Sequence, residues 1–296
     1  MRKSILASTL VCVLTLTVAP LNAITGNWVE DFEHPFVGLA VFYDAEGEFL
    51  WRCSGTLLSP TVFLTAGHCA DIEGGAVSAR VYFQQDAGAN YDPITQLDPV
   101  SGYPETCAAG TEGVTCATSD QMYNYDFTGH LTVPNTHDVG LLILDQPIYL
   151  SEYGQLAAPG TLDILATSRG LNDAVFTVSG YGLTYKPNAN APMAATSYRS
   201  RLMAESTLVN LTSALNYGFN LQTQGNGTGR GGTCNGDSGG PVFLGDYRSN
   251  LVVGVTSFGM NTLCRGTDFA YRVDTVDVQA WIEATVGPEL WAEIAP

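Results

Sequence analysis

Short runs of β-branched and aromatic residues recur along most of this chain, and they set its fold class. Each run is bounded by Gly, Pro, Asn or Asp, as strands between turns are. Between residues 35 and 259 they read PFVGLAVFY, TVFLTAG, ARVYFQQ, DVGLLIL, AVFTVSGYG, GPVFLG and NLVVGVTSFG. The pattern predicts an all-β protein, a sandwich or barrels. A helical period appears clearly only near the end, at residues 275–287.

The first 23 residues have the layout of a secretory signal peptide. Arg2 and Lys3 precede an apolar run at residues 5–20, and small Ala23 closes the segment. A membrane anchor is the alternative, but the run is short against the roughly 20 apolar residues of a span. A lipid on Cys12 is a second alternative, although a bulky residue precedes it. We therefore expect a single secreted, extracellular domain at residues 24–296.

Cysteine usage agrees with an oxidising compartment. Once the signal peptide is removed, an even number of cysteines remains, which favours disulfides in an oxidising compartment. They are Cys53, Cys69, Cys107, Cys116, Cys234 and Cys264. Fifteen pairings are possible from the sequence alone. Zinc ligation is the alternative, but no C-x-x-C or histidine pair has metal-ligand spacing, so we expect no metal and no cofactor.

The charge of the chain limits its partners. Its 12 basic residues face 29 acidic ones, for a formal net charge of −17. The leader takes two of the basic residues with it, which makes the balance still more acidic. Such a balance argues against nucleic acid and anionic membranes as partners.

The stretch TCNGDSGGPVF, residues 233–243, surrounds an aspartate and a serine with glycines. Glycine costs conformational entropy and is used where the backbone needs a positive φ or a close approach. A tight surface loop is one interpretation. The other is that Ser238 is a nucleophile, with neighbouring backbone N–H groups that bind an oxyanion.

A nucleophilic serine needs a base, and every histidine of the chain precedes Ser238. The G-x-S-x-G pattern of α/β-hydrolases also matches here, but that fold needs a later histidine and alternates strands with helices. A subtilisin-like order on an α/β scaffold is disfavoured as well. The remaining order is His68 at the end of an apolar strand, Asp138 at the head of another, then Ser238.

Three motifs in this order resemble the trypsin/chymotrypsin family of serine proteases. They are LTAGHC at residues 64–69, DVGLL at 138–142 and GDSGGP at 236–241, with SGYG, SFG and FAYRV as further matches. The resemblance covers residues 24–287. The departures are a long insertion between His68 and Asp138, and Gly67 where the family usually has alanine; neither removes a catalytic group.

The resemblance implies two six-stranded antiparallel β-barrels, at about residues 24–150 and 151–273, with the active site between them. The C-terminal helix follows at about 275–287. It also implies the bridges Cys53–Cys69 and Cys234–Cys264, which leaves Cys107–Cys116 for the inserted loop at 86–130.

The resemblance further assigns roles around the proposed triad. The backbone N–H groups of Gly236 and Ser238 form the oxyanion hole. The amine of Ile24, freed by cleavage after Ala23, pairs with Asp237. The backbone of Ser257, Phe258 and Gly259 binds substrate as an added strand. Gly232 lies at the floor of the specificity pocket, and Asp268 takes the place of a glycine on its wall.

These assignments imply a secreted, monomeric serine endopeptidase that acts on peptides or proteins and meets protein inhibitors. Asp268 favours cleavage after Arg or Lys. The alternative specificity is chymotrypsin-like or broad. The alternative functions are an esterase and a catalytically inactive binding protein on the same scaffold.

Overall fold

A computed structural model of the chain describes residues 24–88, 103–104, 107, 115–166, 174–184, 197–225, 229–260, 264 and 266–296. The expected signal peptide, residues 1–23, lies outside the described residues, as do residues 89–102, 105–106 and 108–114 of the long inserted loop. Within the described ranges, no helix is both long enough and apolar enough to cross a membrane.

The described chain opens with two short strands, β1 (Thr25–Gly26) and β2 (Val29–Glu30). A seven-stranded antiparallel sheet follows, in the spatial order β7-β6-β3-β4-β5-β9-β8. Its strands are β3 (Val37–Tyr43), β4 (Phe49–Leu57), β5 (Val62–Thr65), β6 (Ser78–Tyr82), β7 (Cys116–Ser119), β8 (Gln121–Asn124) and β9 (Gly140–Ile143).

This first sheet is a nearly closed barrel. Its two end strands, β7 and β8, are separated only by Asp120. The same bent segment therefore pairs with β6 on one side and with β9 on the other. The sheet has seven strands where six were expected, because the bend divides one barrel position into two short strands.

The second sheet closes completely into a barrel. Strands β16 and β17 pair with each other and join the ends of the order β16-β15-β11-β12-β13-β17, which makes a ring of six. Its strands are β11 (Val175–Gly180), β12 (Leu202–Asn210), β13 (Asn220–Gln224), β15 (Pro241–Leu244), β16 (Leu251–Gly259) and β17 (Thr267–Arg272). The short strands β10 (Gln155–Leu156) and β14 (Gly231–Gly232) lie outside this ring and pair with β16 and β1.

The strand runs of the sequence become the walls of the two barrels. In β3 six of the seven residues are buried, so the run VGLAVFY is apolar throughout rather than alternating. Burial of a single large apolar side chain contributes roughly 1.5–3 kcal/mol, which explains why these runs mark the strands so clearly. The all-β prediction is confirmed.

The C-terminal helix begins as expected but extends further. Helix α1 is a single turn (Asp163–Ala166), whereas α2 spans Val276–Ile294, with the side chain of Thr275 accepting a hydrogen bond from the Val278 N–H. The first helical segment ends at about residue 287, as expected, and the segment that follows was not expected. Gly287 takes a φ of 78° and breaks the helix. Pro288 then starts a second helical segment, as proline can at a first helical position.

Strand β4 of the first barrel is hydrogen-bonded to the serine-bearing loop of the second. The Ser54 N–H donates to the carbonyl oxygen of Ser238 at 2.8 Å, and the Ser54 hydroxyl donates to that of Gly236, also at 2.8 Å. The same hydroxyl accepts from the Tyr181 N–H at 3.0 Å. These buried bonds fix the position of the loop between the barrels.

Candidate active site

Neighbouring strands bring His68 and Asp138 together. His68 follows β5 and Asp138 precedes β9, and these two strands pair antiparallel with Thr65 opposite Gly140. The end of one strand and the start of the other therefore lie at the same edge of the sheet. The Cys53–Cys69 bridge ties the turn that carries the imidazole to β4.

The imidazole of His68 is oriented by a two-oxygen contact. Its Nδ1 lies 3.0 and 2.9 Å from the two carboxylate oxygens of Asp138, and its backbone N–H donates to the same carboxylate at 2.8 Å. Asp138 is fully buried, whereas the side chain of His68 is 21% exposed. The ring therefore holds Nδ1–H against the carboxylate, and Nε2 carries the free lone pair.

The charges of this pair stabilise each other. Burial disfavours the charged imidazole, but the Asp138 carboxylate outweighs it, so the pKa of His68 lies above its ordinary value. Burial likewise opposes ionisation of Asp138. The contact with His68 and a hydrogen bond from the Ser257 hydroxyl outweigh this effect, so the pKa of Asp138 lies below its ordinary value. Asp138 is therefore ionised at neutral pH and available to stabilise an imidazolium.

Ser238 lies in a loop that only glycine can shape. Gly236 has a φ of 95°, and a Cβ there would lie 2.5 Å from the Tyr198 ring. At Gly239, with a φ of 77°, a Cβ would lie 2.1 Å from the Thr65 hydroxyl oxygen of the first barrel. The glycines thus give the loop its left-handed turns and its close approach to β5.

The loop leaves the backbone N–H groups of Gly236 and Ser238 unused, since neither donates a hydrogen bond to any described residue. Ser238 is half-buried, and its hydroxyl makes no hydrogen bond to the His68 ring in this structure. Such contacts often tighten only when substrate is bound.

A cleft of about 800 Å³ runs between the barrels. His68 and Asp71 line it from the first barrel, and Gly236, Ser238 and Asp268 from the second. It therefore brings the predicted base and nucleophile to one surface.

Asp268 is almost completely buried at the wall of this cleft, and one of its carboxylate oxygens accepts from the Thr233 N–H at 2.8 Å. Burial raises its pKa to about 7. Gly232, its expected neighbour at the pocket floor, does not line the cleft and pairs with Thr25 instead.

On one edge of β16, residues 257–259 pair with no strand in the part of the chain that the structure describes. β15 pairs with β16 only as far as Val255, while β17 covers the opposite edge of β16 through Gly259. Ser257, Phe258 and Gly259 all line the cleft. An exposed strand edge of this kind can accept an extended peptide as a further strand.

Asp237 is fully buried beneath the loop and accepts the backbone N–H groups of Cys234 at 2.9 Å and Gly182 at 2.8 Å. Burial raises its pKa to about 7. Ile24 is also buried, and its nitrogen in the full-length chain is a peptide nitrogen. Among the described residues, no ion pair reaches Asp237.

The cleft also contains a residue that the sequence analysis did not identify. His130 is exposed, and its ring centroid lies 5.2 Å from that of His68, 5.1 Å from Phe127 and 5.5 Å from Phe258. Burial against these rings and the charge of His68 lower its pKa. One ligand atom from each of His68, His130 and Asp138 lies within 4.8 Å of the other two, so this group could hold a metal ion.

The described cysteines form three disulfides: Cys53–Cys69, Cys107–Cys116 and Cys234–Cys264. The pairing implied by the resemblance is therefore present. The third bridge, like the first, lies at the cleft, because Cys234 and Cys264 both line it.

Comparison with known sequences identifies the family. Residues 33–282 match the Trypsin family profile. Serine protease 7 of Drosophila melanogaster is 26% identical, over 89% of this chain and 64% of its own length. Brachyurin of Leptuca pugilator is 28% identical, over 79% of this chain and 89% of its own length. The chain thus spans less than two thirds of the first of these relatives.

Solved structures agree on the fold. The structure of HL collagenase superposes with a TM-score of 0.58 at 19% identity, covering 89% of this chain and 98% of that one. Human heparin binding protein superposes with a TM-score of 0.57 at 21% identity, over 89% and 98%. The family profile, which spans most of the sequence, and the two-barrel fold lead to one conclusion: this chain belongs to the trypsin family of serine proteases.

Proposed function

We propose that the protein is a secreted endopeptidase that hydrolyses peptide bonds through His68, Asp138 and Ser238. The observation that carries the proposal is the imidazole held by a buried carboxylate, with its second nitrogen free beside the cleft that Ser238 lines. Residues 1–23 act as its signal peptide, and the three disulfides suit an extracellular chain.

In the reaction, the Ser238 hydroxyl attacks the scissile carbonyl while Nε2 of His68 takes its proton. Asp138 fixes the tautomer and stabilises the imidazolium that forms. The same proton then passes to the leaving amine, and water hydrolyses the acyl-enzyme by the reverse sequence. Because the free imidazole is the base, activity rises with pH through the raised pKa of His68.

The N–H groups of Gly236 and Ser238 serve as the oxyanion hole. Both lack an acceptor among the described residues and belong to a loop anchored by Ser54. Donors that are already in place need no reorganisation as charge develops, and losing one typically costs on the order of 10²-fold or more in rate.

Substrate adds as a strand along Ser257, Phe258 and Gly259, and the side chain before the cut enters the pocket that Asp268 lines. A carboxylate there favours Arg or Lys. With its pKa raised to about 7, Asp268 is mostly ionised at slightly alkaline pH. Gly232 pairs with Thr25 and does not line the cleft, so it adds no charge to the pocket.

Signal cleavage after Ala23 completes the site. It turns the Ile24 nitrogen into an amine, which docks against Asp237 and supplies the charge that this buried carboxylate lacks. A buried carboxylate without a partner is costly when ionised, which its raised pKa reflects. The segment after Ile24 supports this role, since Thr25 and Gly26 pair with Gly232 and Gly231 of the second barrel.

A second candidate is cleavage after large apolar residues or with broad specificity. It is favoured by the burial of Asp268, which is neutral at acidic pH and already accepts the Thr233 N–H. A non-catalytic binding protein is less well supported, because all three triad side chain types are present. One structural neighbour is named a heparin binding protein. Binding of that polyanion by this chain is disfavoured by its net charge of −17.

Hydrolysis of a peptide library by the secreted protein tests the proposal, with Ser238→Ala as the matched control. We expect cleavage at internal bonds, most of it after Arg or Lys, and its loss in the variant. Turnover of matched esters without any amide cleavage would identify an esterase instead. Cleavage that persists in the variant would contradict the proposal.

A further inference from the structure

The pair formed by His68 and His130 is a feature that the proposed mechanism does not use. The two residues lie far apart in the sequence, on the turn after β5 and on the 3₁₀ turn His130–Thr132. Their rings are nevertheless in edge contact at the cleft, with centroids 5.2 Å apart.

The second histidine is held in place by its surroundings. Phe127 contacts its ring from within the same loop, and Phe258 contacts it from the second barrel. His130 makes no hydrogen bond with its ring to any described residue, so its ring nitrogens keep their capacity to bind a ligand.

The first histidine is oriented as metal-binding histidines usually are. Such a histidine donates one ring N–H to a carboxylate and ligates through the other nitrogen. His68 donates Nδ1–H to Asp138 and keeps Nε2 free. One ligand atom from each of the two rings and a carboxylate oxygen of Asp138 lie within 4.8 Å of one another.

We propose that His68 and His130 form an inhibitory site for a zinc ion, or another transition metal with affinity for imidazole, at the mouth of the cleft. The metal binds the two imidazoles and completes its coordination with water. Asp138 supports the site from behind His68. Imidazole suits zinc, copper and nickel, whereas magnesium and calcium prefer oxygen ligands.

The consequence for activity rests on the proposed function. Nε2 of His68 is the atom that must accept the Ser238 proton, and a bound metal occupies that lone pair. The metal also lies in the cleft that the substrate must enter, between His68 and His130. Binding therefore stops hydrolysis without altering the fold, and removal of the metal restores it.

The first arm of the test measures hydrolysis of a peptide substrate by the mature protein during titration with zinc chloride. We expect complete inhibition that a chelator reverses, with no inhibition by magnesium at the same concentration. His130→Gln, at an exposed position, should raise the inhibition constant for zinc by about 10- to 100-fold or more relative to its own uninhibited rate.

Asp71→Asn is the matched control for the acidic character of the cleft. Asp71 lines the cleft and raises the pKa of His68. If zinc binds the two imidazoles, this variant keeps nearly the wild-type inhibition constant. Equal inhibition of wild type and His130→Gln, or loss of inhibition in Asp71→Asn alone, would overturn the proposed site.

A second arm measures binding without activity. Titration calorimetry on the inactive Ser238→Ala protein should show one zinc site per chain, which disappears when His130→Gln is added. Zinc binding without any peptide hydrolysis by the wild type would uphold the site while contradicting the proposed function. Peptide hydrolysis that zinc does not inhibit would uphold the proposed function while contradicting the zinc site.

Discussion

Replacing Asp268 with asparagine should remove the preference for basic residues while preserving the pocket. Asparagine has the same shape and can still accept the Thr233 N–H that the carboxylate accepts at 2.8 Å. Only the charge is lost. A charge-assisted hydrogen bond to a substrate guanidinium is worth about 1.5–3 kcal/mol. At about 1.4 kcal/mol per factor of ten, the kcat/KM for an Arg substrate should fall roughly 10- to 150-fold.

The assay compares kcat/KM for two peptides that differ only in Arg or Phe before the cut. Dividing one by the other cancels the ionisation of His68, which affects both equally. Because kcat/KM reports the free enzyme, the ratio should follow the Asp268 pKa of about 7. The ionised fraction at that pKa is about one tenth at pH 6 and nine tenths at pH 8. The Arg/Phe ratio should therefore rise roughly tenfold over this range.

Asp71→Asn removes an equal charge from the same cleft and serves as the control. It should change both substrates alike and leave the pH dependence of the ratio in place, whereas Asp268→Asn should abolish that dependence. A ratio that is independent of pH in the wild type, or unaltered in Asp268→Asn, would refute the assignment of specificity to Asp268.

Three further predictions concern the reacting groups and their activation. Asp138→Asn should lower kcat by about 10⁴-fold with little change in the thermal unfolding temperature, because the imidazole takes the wrong tautomer; a loss below tenfold would contradict its role. Gly236→Ala should lower kcat by about 10²-fold or more, since its φ of 95° and the nearby Tyr198 ring force the N–H to move; steady-state kinetics with unchanged kcat would count against the oxyanion hole. Acetylation of the Ile24 amine should abolish the activity of the mature protein. Edman sequencing identifies the N-terminal residue, and a peptide assay measures the activity. Full activity in a chain that begins at another residue would exclude the activating role.

The barrel walls were predictable from the sequence because each strand buries enough apolar surface to leave a continuous or alternating pattern. The bend at Asp120 was not, because it depends on which neighbours the strand pairs with at each end. The extension of α2 past Gly287 was also missed. A glycine followed by a proline can mark either the end of a helix or a kink between two helical segments. Only the packing of the later segment decides between the two.

The residues of the candidate site likewise divide into those that the sequence could predict and those that it could not. Ser238, His68 and Asp138 could be selected from motifs and their order, since each lies at a strand end or in a glycine-rich turn. The hydrogen bond from Ser257 to Asp138 and the approach of His130 to His68 could not, because each joins distant segments. His130 lies in a short 3₁₀ turn near the end of the inserted loop, where no periodic pattern indicates which way a side chain points.

Covalent labelling by an organophosphonate tests the central claim most directly, since it needs an activated serine and no knowledge of specificity. The secreted protein, with its N-terminus sequenced as Ile24, is treated at pH 8 and mapped by peptide mass spectrometry. We expect one adduct per chain on Ser238, absent from Ser238→Ala and strongly reduced in His68→Ala. An unlabelled wild type, or an adduct that persists in Ser238→Ala, would contradict the proposed catalytic serine.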